Sequence, residues 1–309
     1  MSLVSRYLDP ALLQRLAPLQ MSARSVVEGM TSGQHRSPLR GASVEFRQHR
    51  AYVAGDEPRR LDWRILARTD RPYVREYDEE TNLRCTILLD RSGSMGYRGR
   101  GDESNQRRSD GASKFDYAAR LVASLAYLML NQTESVGLAT FAGGRLDARL
   151  PPHAHDEQLA RVIDVLERTA PAGTSDAPAA MTELAARLGR RSLVIVVSDF
   201  FAPAADVRKA LARLRYGRHE IVTLRVLHDD EVKFPFTDPV RLRGLEGEGS
   251  RLCEPALVRQ RYLEKFRAHA QQLHEAHRAH RAEFHTMQTG RDLGDAMIAF
   301  LRHRAGGGG

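Results

Sequence analysis

Two uninterrupted apolar runs, each closed by an aspartate, place the strongest constraint on how this chain can fold. They are CTILLD, from Cys85 to Asp90, and SLVIVVSD, from Ser192 to Asp199. Such a run is typical of a strand buried on both faces of a parallel sheet. Amphipathic helical patterns alternate with the strand patterns. We therefore predict an α/β fold with a doubly wound, mostly parallel sheet of Rossmann type, flanked by helices.

The rest of the chain divides by composition. Residues 1–35 are expected to form a helix and a polar linker, and residues 36–81 an arginine-rich accessory segment with two strand-like pieces. The α/β domain is expected over residues 82–303. Residues 304–309, which are mostly glycine, predict a flexible tail.

Two insertions are expected within the α/β domain. The polar, Gly/Ser-rich stretch 97–113 predicts a mobile loop next to the first apolar run. A hairpin and a long polar helix are expected at 229–283, before the last strand. We expect the histidines of that helix, including His274 and His277, to lie on a solvated face.

Polar side chains follow both apolar runs. Asp90, Ser92 and Ser94 alternate in a turn just past the first run, and Asp199 closes the second. Thr174, in a loop between them, offers a further hydroxyl. Parallel strands bring their carboxyl ends to one edge of the sheet, so these oxygens can converge there. A site made only of carboxylate and hydroxyl oxygens suits Mg²⁺ or Mn²⁺ and does not suit zinc.

Other interpretations of the same turn remain open. Ser94 lies on a turn similar to a nucleophile elbow, and Asp199 with His228 or His285 would complete a hydrolase triad in the right chain order. The first glycine of that motif is replaced by Ser92, which disfavours this alternative. An aspartyl phosphatase would need an acid at position 92. The turn could also simply cap the helix that follows it.

The motif Asp90-x-Ser92-x-Ser94, with distant Thr174 and Asp199, resembles the metal-ion-dependent adhesion site of von Willebrand factor A domains. The resemblance implies that Ser92 and Ser94 bind the metal directly and that Thr174 does so directly or through water. It implies that Asp90 and Asp199 act largely through water and through hydrogen bonds to the serines. An open position on the metal would then accept a carboxylate from another protein.

The segment before the first run resembles the corresponding stretch of the bacterial DUF58 family, so that the likeness extends over residues 36–303. The matching pieces are Arg40-Gly41, Glu45-Phe46, Arg50-x-Tyr52, Gly55-Asp56, Arg60-x-Asp62-Trp63, Ala67-Arg68-Thr69 and Val74-Arg75-Glu76. This resemblance implies a MoxR-type AAA+ ATPase as partner, and an adaptor that links the ATPase to a protein client. The chain is then not an enzyme, and it has no phosphate-binding G-x-x-x-x-G-K-[ST] motif of its own.

The arginine-rich segment has a possible binding role. The chain carries a formal charge of +8, almost all of its basic residues being arginine. Arg60, Asp62, Trp63 and Arg64 are candidates for docking an acidic partner surface. Pairing of these charges within the segment is the alternative. The aromatic residues are too sparse to favour nucleic-acid binding.

The sequence favours a cytoplasmic protein. Its two cysteines, Cys85 and Cys253, form no disulfide framework. The first ten residues lack the apolar region of a signal peptide. The longest apolar helical stretch has ten residues, whereas a membrane span needs roughly 20.

Overall fold

The computed structural model describes residues 4–19, 44–52, 63–69, 71–79, 83–99, 112–155, 157–189 and 191–306. In chain order the helices are α1 (Val4–Tyr7), α2 (Pro10–Leu16), α3 (Trp63–Thr69), α4 (Lys114–Leu130), α5 (Glu157–Arg168), α6 (Ala177–Arg187), α7 (Ala204–Tyr216), α8 (Asp229–Lys233), α9 (Pro255–Ala279) and α10 (Leu293–Gly306). The strands are β1 (Val44–Ala51), β2 (Tyr73–Glu79), β3 (Arg84–Asp90), β4 (Ser135–Ala142), β5 (Arg145–His153), β6 (Leu193–Ser198), β7 (Glu220–Leu227), β8 (Val240–Arg243), β9 (Ser250–Cys253) and β10 (Glu283–Gln288).

A six-stranded sheet in the order β10-β7-β6-β3-β4-β5 forms the centre of the larger unit. Every neighbouring pair is parallel except β4 and β5, which form an antiparallel hairpin. The Gly143-Gly144 turn of this hairpin has positive φ at both residues, which glycine adopts without steric cost. The prediction of a mixed α/β fold with a mostly parallel sheet flanked by helices is confirmed.

The two apolar runs form adjacent strands in the middle of this sheet. Residue Leu89 of β3 lies opposite Val197 of β6 in a parallel register. Successive side chains of a strand point to opposite faces. Accordingly, Ile87 and Leu89 belong to the core on one face, and Leu88 belongs to the core on the other. Burial on both faces explains why these runs have no polar alternation.

The N-terminal helices pack on this sheet unit. Tyr7, Leu8, Leu12 and Leu16 are buried in the same core as β3 and α4. By its internal contacts the chain groups residues 1–29 with 83–309, and residues 30–82 form a second unit. Helices α1 and α2 thus contribute to the core of the α/β unit.

The second unit contains β1 and β2, which pair antiparallel, and the short helix α3. The register of the two strands shifts between Phe46 and Gln48. Trp63 is 63% exposed at the start of α3, as a docking residue would be. Arg60 and Asp62 lie outside the described residues, as does the side chain of Arg64. The prediction of a partner-binding face there remains a prediction.

A hairpin and a long helix lie between β7 and β10. Among the described strands, β8 and β9 pair only with each other, and the 25-residue helix α9 follows them. The expectation that the histidines of α9 are solvated is wrong for His277, which is only 1% exposed. Its Nδ1 lies 2.7 Å from the carbonyl of Leu273, and its Nε2 lies 2.9 Å from the hydroxyl of Thr223 on β7. His277 therefore faces the sheet, whereas His274 is exposed.

Of the predicted loop at 97–113, the structure describes only residues 97–99 and 112–113. Tyr97 is anchored, because its hydroxyl donates to Asp230 at 2.9 Å. Within the described part of the chain, no helix is long and apolar enough to cross a membrane.

Candidate metal centre

Asp90 ends β3 and is completely buried. Its Oδ1 accepts the backbone N–H of Ser92 at 2.8 Å. Its Oδ2 accepts the hydroxyls of Ser198 at 2.6 Å and Ser175 at 2.8 Å. Burial and the nearby charge of Asp199 raise the pKa of Asp90 above its ordinary value, although the hydrogen bonds oppose this. A buried carboxylate held by three donors is a fixed oxygen site at the carboxyl edge of the sheet.

The turn after Asp90 brings the two predicted serines together. A single 3₁₀ turn spans Gly93–Gly96, and Met95 within it is fully buried and anchors the turn in the core. The hydroxyls of Ser92 and Ser94 lie 3.1 Å apart. Ser92 is fully buried and Ser94 half-buried. Two hydroxyl oxygens therefore lie together at the point where the turn opens toward solvent.

Asp199 follows β6, the neighbour of β3 in the sheet. Its Oδ2 accepts the ammonium of Lys114 at 2.9 Å, and its backbone carbonyl accepts Nε of Arg225 at 2.9 Å. Its Oδ1 is buried and has no hydrogen-bond partner among the described residues. A buried polar atom without a partner is costly, so this oxygen favours a ligand at the site.

Lys114 and Arg225 are buried cations beside Asp199. The Lys114 ammonium also binds Glu231 at 2.6 Å. Burial disfavours its charged form, but Asp199 and Glu231 outweigh that effect and raise the pKa of Lys114 above its ordinary value. Burial lowers the pKa of Arg225, although the acids oppose the shift. The sequence suggested neither residue as part of the site, because nothing local distinguishes a buried cation from a solvated one.

The loop before α6 contributes Ser175 to the network around Asp90. Thr174, the predicted residue, is exposed, and its carbonyl accepts the N–H of Gly143 at 2.6 Å. The Thr174 hydroxyl lies 3.8 Å from where a Cβ on Gly143 would stand. This loop lies at the edge of the sheet where Asp90 ends β3, and Ser175 is the residue of the loop whose hydroxyl donates to Asp90. The metal-binding role of Thr174 remains a prediction.

Glu246, which the sequence analysis missed, also lies at this site. It belongs to the loop between β8 and β9, over 140 residues beyond the serine turn. Its Oε1 accepts the N–H of Ser94 at 3.3 Å, and its Oε2 accepts the N–H of Ser175 at 2.8 Å. No sequence signal marks this glutamate among the several acids of the hairpin. Only the folded position of the hairpin brings it to the two serine-bearing loops.

These groups fit a hard divalent cation. The donors are carboxylate and hydroxyl oxygens, as Mg²⁺ and Mn²⁺ prefer. The described residues contain no cluster of three or more His, Cys, Asp or Glu side chains arranged to hold a metal, so a site here depends on the serine hydroxyls. At this site acidic side chains outnumber basic ones. The acids are Asp90, Asp199, Glu231 and Glu246, and the bases are Lys114 and Arg225.

One known protein family matches the sequence over most of its length. The family described as "Protein of unknown function DUF58" matches residues 48–272, which is more than half of the chain. The chain belongs to the DUF58 family. The match begins in β1 and ends within α9, so it includes the serine turn, Asp199 and the Glu246 loop.

Relatives of this DUF58 protein occur in mycobacteria. Uncharacterized proteins of Mycobacterium tuberculosis and Mycobacterium bovis are each 27% identical over 307 residues, covering 97% of this chain and 92% of theirs. An uncharacterized protein of Mycobacterium avium is 29% identical over 156 residues, covering 50% of this chain and 90% of its own.

Solved structures similar to this DUF58 chain include two from Bacteroides. An aerotolerance-related membrane protein of Bacteroides fragilis has 18% identity and a TM-score of 0.41, covering 71% of this chain and 98% of that one. The conserved hypothetical protein BatB of Bacteroides thetaiotaomicron has 17% identity and a TM-score of 0.42, covering 72% and 97%.

Proposed function

We propose that this DUF58 protein is a metal-dependent protein-binding module that docks an acidic side chain of a partner. The observation that carries the proposal is the arrangement of Asp90 and Asp199 at the ends of neighbouring strands, beside the paired hydroxyls of Ser92 and Ser94. The unpartnered, buried Oδ1 of Asp199 supports a bound cation there. The resemblance to the metal site of von Willebrand factor A domains supports the same interpretation.

The residues of the site would have different roles in holding the cation. Ser92 and Ser94 would supply hydroxyl oxygens, and Asp90 holds their turn through its bond to the Ser92 N–H. Asp199 would offer its free Oδ1, while Lys114 neutralises its other oxygen. A bound Mg²⁺ or Mn²⁺ would supply a coordination position for a partner's carboxylate.

Exposed apolar side chains next to the site support a protein as the partner. Phe201, two residues after Asp199, is 45% exposed, and so is Leu245, which precedes Glu246. The ring of Phe201 lies 5.2 Å from the Lys114 ammonium, which holds the aromatic group close to the site. Apolar side chains around a specific polar contact are typical of protein interfaces.

We further propose that the partner is a MoxR-type AAA+ ATPase, with this chain acting as an adaptor toward a protein client. Residues 36–303 resemble DUF58 proteins, and this resemblance implies a MoxR-type ATPase as partner, which supports the proposal. The sequence itself carries no G-x-x-x-x-G-K-[ST] motif, so the ATPase would be a separate chain.

The serine-hydrolase alternative is not favoured by the site. The Ser94 hydroxyl bonds to that of Ser92, which is not a general base. His228 binds the N–H of Asp230 through Nδ1, and the Nε2 of His285 lies 3.2 Å from Glu283. Both candidate bases are therefore held by other groups. A fluorophosphonate probe that labels Ser94 covalently would support the hydrolase instead.

Pull-down from native lysate tests the adaptor function. Wild-type protein and Asp90→Ala are each used as bait in Mg²⁺ and in EDTA, with the exposed Asp238→Ala as the matched control. We expect an AAA+ ATPase to bind wild type and Asp238→Ala in Mg²⁺, and to be lost in EDTA or with Asp90→Ala. Equal recovery under all conditions would contradict docking through the metal.

A further inference from the structure

The 244–249 loop, which joins β8 to β9, places a carboxylate of the chain itself at the proposed docking site. We propose that Glu246 is an internal ligand of the metal, occupying in the isolated chain the position through which a partner's acidic side chain would bind. This inference rests on the proposed function and adds to it a competitor for the partner.

Glu246 already has the chemistry that is proposed for the partner. It is a carboxylate, and it bridges the backbone N–H groups of Ser94 and Ser175. These residues flank the site from two sides, because Ser94 pairs with Ser92 and Ser175 binds Asp90. The carboxylate of Glu246 is therefore held by the backbone of both loops, next to Ser94, whose hydroxyl would bind the cation. Asp199, whose charge acts on Asp90, has an Oδ1 atom without a partner among the described residues, which independently indicates a ligand near Asp90.

The loop lies against the serine turn in close backbone contact. A Cβ built on Gly93 would stand 2.0 Å from the carbonyl oxygen of Leu245 and 2.9 Å from its carbon. Only glycine at this position permits such an approach. The contact shows that Glu246 is placed by the packing of its loop, and not by the reach of a long side chain alone.

The structure of the loop is compatible with its removal from the site. The N–H of Gly244 donates to the carbonyl of Gly249, and the N–H of Glu246 donates to Glu248, so the loop keeps bonds of its own. Strands β8 and β9 bond only to each other among the described strands. The hairpin can therefore move without breaking the six-stranded sheet. Glu246 is half-buried and Leu245 exposed, so the separation exposes little apolar surface.

An internal competitor sets how tightly a partner binds. The apparent affinity for a partner carboxylate equals the intrinsic affinity multiplied by the fraction of chains in which Glu246 is displaced. Only a partner with additional contacts outside the loop, such as one to the exposed Phe201, would displace the loop efficiently. A free small carboxylate would compete poorly, which protects the site from cellular acids.

Solvent proton relaxation with bound Mn²⁺ tests this assignment, because each water on the ion raises the relaxation rate. The variants are Glu246→Ala and, as a matched control, Glu254→Ala, an exposed acid at the start of α9 with no capping bond. In Glu246→Ala we expect a water to replace the carboxylate, so that the relaxivity rises and Mn²⁺ binds about tenfold more weakly. Glu254→Ala should match wild type.

Acetate then serves as a probe of the vacated position. Added acetate should lower the relaxivity of Mn²⁺-loaded Glu246→Ala at concentrations that leave wild type unchanged. Equal relaxivity, Mn²⁺ affinity and acetate response in wild type and Glu246→Ala would overturn the internal ligand. If wild type itself binds no Mn²⁺, the proposed function fails as well, so the two failures are distinguishable.

Discussion

The carboxylate of Asp199 and the ammonium of Lys114 form an ion pair at 2.9 Å, and both side chains are completely buried. Lys114 is one of only four lysines in the chain. It begins α4, whose capping box of Ser113 and Asp116 fixes the helix N-terminus beside the site. The helix cap thus positions the Lys114 ammonium. This ammonium neutralises Oδ2 of Asp199, while Oδ1 has no partner among the described residues.

Replacing Lys114 should destabilise the fold strongly. Lys114→Met leaves the buried acids Asp199 and Glu231 without their cation, and breaking a buried pair from one side costs about 3–5 kcal/mol. Urea unfolding in EDTA measures the loss. The control Lys209→Met removes an exposed lysine paired with Asp206 and should change the free energy of unfolding by less than about 1 kcal/mol. Similar values for both variants would refute the structural role of the buried pair.

Enlarging Gly93 should release the 244–249 loop. The new Cβ of Gly93→Ala would overlap backbone atoms of Leu245, which cannot rotate away as a side chain can. Hydrogen exchange should then accelerate at the amides of Ser94 and Ser175, by about tenfold or more. The control Gly189→Ala adds a methyl group where no atom lies within 4 Å, and it should leave both amides protected. Unchanged exchange in Gly93→Ala would contradict the close contact.

His277 should make stability depend on pH. Burial lowers its pKa from 6.5 to about 4, with His274 and His280 adding to the shift. The unfolded chain therefore binds the proton first, and the free energy of unfolding falls as the pH drops from 6.5 toward 4. The loss from this group is about 3 kcal/mol at pH 4, at about 1.4 kcal/mol per pH unit.

Unfolding of His277→Gln at pH 7 and pH 4 checks this contribution. The variant should lose about 3 kcal/mol less stability than wild type over that interval, because it lacks the titrating ring. His155→Gln, which changes an exposed histidine outside α9, should follow wild type. Parallel pH profiles for wild type and His277→Gln would show that His277 does not titrate abnormally.

Much of the fold could be predicted from local patterns. The apolar runs that form β3 and β6 have no alternation of polar and apolar residues, as expected for strands buried on both faces. The Gly143-Gly144 turn and the long helix α9 likewise followed from turn chemistry and periodicity. Asp90 and Asp199 could be placed at one edge because parallel strands end there together.

The parts that escaped prediction depend on tertiary placement. Ser175 and Thr174 are adjacent in one loop, and only its folded conformation decides which hydroxyl binds Asp90. Glu246 reaches the site because the β8–β9 hairpin folds over Gly93. His277 lies on a helix that is polar on average, yet its position faces Thr223. No sequence pattern within a few residues of Ser175, Glu246 or His277 indicates these contacts.

Titration of Mn²⁺ into metal-free protein, followed by the electron paramagnetic resonance of the free ion, tests the central claim most directly. Wild type should bind one Mn²⁺ that Mg²⁺ displaces. Ser92→Ala/Ser94→Ala should weaken binding by at least about tenfold, since both hydroxyl donors are lost. Ser124→Ala, which removes a buried hydroxyl that donates to the Arg120 carbonyl within α4, should bind like wild type. Equal Mn²⁺ binding by wild type and the double variant would contradict the metal site.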